Sequence, residues 1–135
     1  MANHEDIERF LTRLAADESA TVSDLEEGMW LVKPGGELDF GAVVHYSPPV
    51  VILRVKVMSV PKRDGAMERL GRRLLELNAT DLIHGSYGIE SDSIVLTEAL
   101  ELSHLDYEEF LAAYESMMVS LASHLRELGS YREAH

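Results

Sequence analysis

The sequence contains no cysteine. That removes a disulfide framework, thiolate zinc and iron–sulfur sites, and a cysteine nucleophile, and it fits a reducing compartment such as the cytoplasm. Long apolar runs are also missing: VVIL at 50–53 and MMV at 117–119 fall far short of the roughly 18 residues of a membrane span. The opening MANHEDIERF carries acids where a secretory leader needs a basic start, so no signal peptide is expected. Basic residues are scarce, 12 Lys and Arg against 24 Asp and Glu, for a formal charge of -12. Such a balance opposes nucleic-acid binding, which depends on cations replacing counterions along the phosphates. Histidines never recur at one to four residues, so no local metal motif exists, although His45, His84 and a carboxylate remain conceivable as a site assembled in three dimensions. The serines lack a nucleophile-elbow pattern and the glycines of KPGGELDFG lack phosphate-loop spacing. No enzyme and no cofactor are expected.

What is present is one domain, 135 residues with 46% hydrophobic side chains, enough for a core without staples. Its charge is uneven: residues 1–53 sum to -7, residues 54–75 to +5 and residues 76–135 to -10. Ile7, Phe10, Leu11 and Leu14 mark an amphipathic first helix, capped near Asn3 and ending before Ser19. After a polar connection, a strand MWLVK at 29–33, the turn PGG at 34–36, a strand over 39–46, the breaker Ser47-Pro48-Pro49 and a strand over 50–60 form a meander. In the last of these, Val51, Leu53, Val55 and Val57 form the core side, while Ile52, Arg54, Lys56 and Met58 face the other way.

A second helix spans 64–78, with Met67, Leu70, Leu74 and Leu77 on one stripe and Gly71 beside it, a sign of close backbone approach. Strands over 82–89 and 93–102 form a hairpin about Glu90-Ser91-Asp92. Asp106 and Glu109 resemble a capping box ahead of a third helix carrying Tyr107, Phe110, Leu111, Tyr114, Met117, Met118, Leu121 and Leu125. That stripe reads as core, with the methionines also suited to peptide binding if exposed. Residues 129–135 read as a frayed tail. The class is α+β, an antiparallel sheet with helices on one side, in the order α-β-β-β-α-β-β-α.

LLELNA at 74–79, GSYGIESDSIVLTEAL at 85–100 and LSHLDYEEFLAAY at 102–114, in this order of elements, resemble the type III secretion chaperone-like superfamily, which includes Tir-chaperone and YbjN-type domains. The likeness spans residues 5–128. It implies a cytoplasmic homodimer that holds an unfolded effector segment along apolar patches. On that reading Met67, Leu70, Gly71 and Leu74 pair the subunits. Trp30, Ile52, Arg54 and Met58 contact the partner, Trp30 being either a core residue or, if exposed, a binding hot spot. Arg69, Arg72 and Arg73 form a basic face on the second helix that either is solvated or attracts an acidic segment. Two alternatives stay open: a YbjN-type regulatory or scaffold domain that recognises a folded protein, and a small-ligand sensor with a pocket between sheet and last helix.

Overall fold

The computed structural model describes residues 1–36 and 40–132. The expected start of a strand at Asp39 and the end of the tail, 133–135, lie outside them. Nine elements follow in chain order: α1 His4–Glu18, β1 Thr21–Glu26, β2 Met29–Lys33, β3 Ala42–Ser47, β4 Val50–Ser59, α2 Ala66–Thr80, β5 Ser86–Glu90, β6 Ser93–Glu101 and α3 Tyr107–Gly129. The strands form one antiparallel sheet in the order β1-β2-β3-β4-β6-β5.

The α+β architecture is as expected, with one strand more than the expected order. Residues Thr21–Glu26 form β1 where a polar connection was read. Only Val22 of that strand is even half-buried, so the segment has no apolar alternation to betray it. The available sign was its turn: Glu27-Gly28 joins Glu26 to Met29, and Gly28 takes a φ of 77° that favours glycine. At the other edge, β5 begins only at Ser86 rather than at 82. Gly85, at φ 85°, turns the chain first, and its N–H donates to the Glu98 carboxylate at 2.5 Å.

α1 and α3 begin at the caps their sequence suggests, whereas α2 starts at Gly65 without a side-chain cap. The Asn3 side chain accepts from Asp6 N–H while Asp6 accepts from Asn3 N–H, closing a capping box on α1. Asp106 caps α3 by accepting from Glu109 N–H at 2.8 Å. All three helices send apolar side chains to a single core. Ile7, Leu11 and Leu14 of α1, Leu70, Leu74 and Leu77 of α2, and Phe110, Tyr114, Met117 and Leu121 of α3 pack on the sheet face formed by Trp30, Val32, Val44, Val51, Leu53, Val55 and Leu96. Met117 and Met118 are core residues, buried with their neighbours.

Within the chain, Gly71 marks no close backbone approach. A Cβ placed there meets only the end of Met67 at 3.7 Å, an ordinary contact. The glycine therefore carries a helix-propensity cost with no packing return, and Gly71→Ala is expected to stabilise the protein by about 0.5 to 1 kcal/mol. Chemical denaturation checks this: the midpoint should rise with the slope unchanged.

Candidate functional site

A sheet of this kind has two edges, and each strand there leaves backbone N–H and C=O groups for something else to satisfy. Here the two are treated differently. At β5, the Asn78 side chain of α2 accepts from Tyr87 N–H at 2.8 Å and donates to Tyr87 C=O at 3.1 Å, so an amide stands where another strand would pair. The Tyr87 hydroxyl lies 2.7 Å from His124 Nδ1, and His124 Nε2 lies 2.5 Å from an Asp81 carboxylate oxygen. Asp81 only accepts, so Nε2 carries the hydrogen and, in the neutral ring, Nδ1 accepts from tyrosine. Burial and the Asp81 charge push the Tyr87 hydroxyl above its ordinary pKa, which keeps it a donor. The β5 edge is thus locked to α2 and α3.

The β1 edge has no such cover among the described residues. Beside it runs α1, and between them lies a groove lined by Glu8, Leu11, Thr12 and Ala15 of the helix, Val22 and Asp24 of the strand, and Trp30 of β2. The helix is held there firmly. Ala2 N–H donates to Leu102 C=O at 2.8 Å, and the His4 ring packs against Trp30 and Tyr46 at centroid distances of 5.2 and 5.6 Å. Open backbone therefore lies beside a groove of mixed lining, in which Leu11 and Trp30 are buried, Ala15 and Val22 half-buried, and Glu8, Thr12 and Asp24 exposed. This is the arrangement that accepts an extended chain: the edge supplies hydrogen bonds and the groove takes alternate side chains.

The residues expected to contact a partner do not form one surface. Trp30, paired across the sheet with Val44, is 4% exposed and belongs to the core, reaching solvent only at the groove wall. Met58 is also buried, at 6%: the register of β4 against β6 shifts between Lys56 and Met58, which swings Met58 off the outer face. Ile52 and Arg54 do lie on that outer face, half-buried in rows with Met29, Leu31, Val43, His45, Thr97 and Ala99. Arg54 reaches Glu90 at 3.3 Å.

The residues expected to pair the subunits lie mostly on the inner side of α2. Leu70 and Leu74 are buried against the protein's own sheet, and Met67 is partly buried against the same core. The solvent side of α2 instead presents Glu68, Arg69, Arg72, Leu75, Glu76 and Ala79 around a shallow depression, with Leu75 69% exposed. Of the three arginines, Arg73 is drawn away to α3, where its Nε donates to Glu127 at 2.5 Å. His45 and His84 are kept apart by β4 and β6, and no cluster of metal-ligating side chains forms among the described residues. Nor, among the described residues, is any helix long and apolar enough to cross a membrane.

The CesT_Tir_1 family matches residues 1–134, essentially end to end. The chain belongs to the CesT_Tir_1 family. It is therefore a member of the type III secretion chaperone-like superfamily. No curated protein matches it by sequence. Solved structures with similar folds include the ExsC–ExsE complex, at 16% identity and a TM-score of 0.68 over 95% of this chain and 97% of that one. The heterodimeric ExoU–SpcU complex from the type III secretion system of Pseudomonas aeruginosa follows at 16% identity and 0.64, over 90% and 96%. The HopA1–SchA chaperone–effector complex gives 13% and 0.58, over 99% and 100%. At these identities the likeness establishes the CesT_Tir_1 fold in this chain.

Proposed function

We propose that this CesT_Tir_1 protein is a non-catalytic chaperone that holds an extended segment of a partner protein along β1. The observation that carries the reading is the asymmetry of the sheet edges. Asn78 occupies the Tyr87 position of β5, whereas β1 has no such side-chain cover among the described residues and stands beside the groove of Leu11, Ala15, Val22 and Trp30. Family membership supports it, as does the fold shared with proteins solved in complexes, one of them described as chaperone with effector. Ile52 and Arg54 on the outer sheet face offer a second, flatter contact for the same partner.

The protein acts by mass action: a segment paired with β1 is withheld from other edges and from aggregation. Pull-down from cell extract followed by limited proteolysis of the captured partner tests this. A short protected stretch within a protease-sensitive partner is the expected result. A partner that is folded and resistant throughout contradicts it and favours a scaffold.

The subunits pair, on this reading, through the outer face of α2. Arg69 and Arg72 precede Glu76 along that face, with Leu75 between. With the two-fold axis perpendicular to the helices they run antiparallel, and each arginine pair approaches the partner's Glu76 while Leu75 meets its counterpart.

A further inference from the structure

The groove beside β1 is not uniform along its length. Residues 19 and 20 join the end of α1 to the start of β1, so the two elements run in opposite directions. Ala15 and Val22 therefore sit towards the joined end, and Glu8 and Asp24 towards the open one. These two acids are the charged side chains of the groove lining. Glu26 and Glu27 extend the acidic end beyond Asp24. Among the described residues none of Asp24, Glu26 and Glu27 has a cationic partner, and Glu8 has only His4 at 3.2 Å.

The helix's own cations do not compensate. Arg9 is paired with Asp6. Arg13 lies over the Tyr107 ring at 4.3 Å, within 4 Å of Asp17 and Glu108. A strand added to β1 would lie about 4.8 Å from it, close enough to strip water from Asp24. A neutral or acidic segment would leave that charge uncompensated, whereas a lysine or arginine would pair with it.

We infer that the segment held along β1 is cationic at one end: its apolar side chains enter the groove by Leu11, Ala15 and Trp30, and its Lys or Arg side chains lie beside Glu8 and Asp24. The inference rests on the docking reading above and adds the chemistry of what docks. It also gives the groove a polarity, because the charged end of the segment must lie at the open end.

Two short synthetic peptides test it, both alternating valine and serine, one ending in two lysines and the other in two glutamates. Binding is measured by calorimetry, with the emission of Trp30, the single tryptophan, reporting on the groove. The lysine peptide should shift that emission and bind about ten-fold more tightly at low salt. In the Glu8→Gln/Asp24→Asn double variant the preference should collapse. In an Asp92→Asn/Glu101→Gln control of the same net charge it should persist. Equal affinity for the two peptides, or a preference that survives in the groove variant, overturns the charge selection and leaves docking along β1 standing. Failure of both peptides to move Trp30 emission or release heat overturns docking and selection together.

Discussion

Leu70→Asp is expected to abolish folding rather than merely to separate subunits. Leu70 is fully buried between α2 and the sheet. Replacing it removes a packed side chain and strands a carboxylate in the core, at a combined cost of at least about 4 kcal/mol. That is comparable with the whole stability of a small domain, about 5 to 15 kcal/mol. Leu75→Asp, five residues or about 1.4 turns further along the same helix, should behave in the opposite way. Its side chain is largely in solvent, so the fold should lose no more than about 0.5 kcal/mol. If α2 pairs with a second copy, Leu75→Asp should shift the protein to monomer in sedimentation with unaltered circular dichroism. A monomeric parent protein at micromolar concentration would contradict pairing through α2, and a folded Leu70→Asp variant would contradict the placement of its stripe.

The second large effect is expected at His124, the buried polar residue that joins Tyr87 to Asp81. His124→Leu leaves the Tyr87 hydroxyl buried without an acceptor, and the expected loss is about 2 to 4 kcal/mol. Tyr87→Phe removes the donor that needs satisfying and should cost less, about 1 kcal/mol. Because the two groups share one hydrogen bond, the double variant should be more stable than the sum of the single losses implies, by about 0.5 to 3 kcal/mol. Additivity in denaturation experiments would show that the network carries no coupling. The consequence reaches beyond stability. This triad and the Asn78 amide are what hold the β5 edge against α2, so weakening them should free a second sheet edge and promote aggregation.

These two positions also show where sequence reasoning succeeds and fails. The stripe of Met67, Leu70 and Leu74 correctly announces that one side of α2 is buried. Periodicity does not say whether the protein's own sheet or a second copy buries it, and the exposed face with Arg72 and Leu75 carries no pattern of its own. The caps of α1 and α3 were readable because Asn3 and Asp106 act within one turn of their partners. β1 was not, because five of its six residues are exposed and only Val22 packs against the core, the strand pairing on one side with β2. That strand forms one side of the groove, so the candidate site was hidden with it. Met58 was misplaced by the shift of register in β4, which two-residue alternation cannot anticipate. His124 gave no local sign because its partners lie 37 and 43 residues away.

The most direct test is amide hydrogen exchange of the intact protein, alone and saturated with the partner segment recovered by proteolysis. Pairing along β1 predicts slowed exchange within 21–26 and along the groove side of α1, with 86–90 unchanged because the segment docks at the opposite edge, and the Tyr87 N–H is already bonded to Asn78. Slowing at 86–90, or only on the outer sheet face, with 21–26 exchanging as in the free protein, would contradict it.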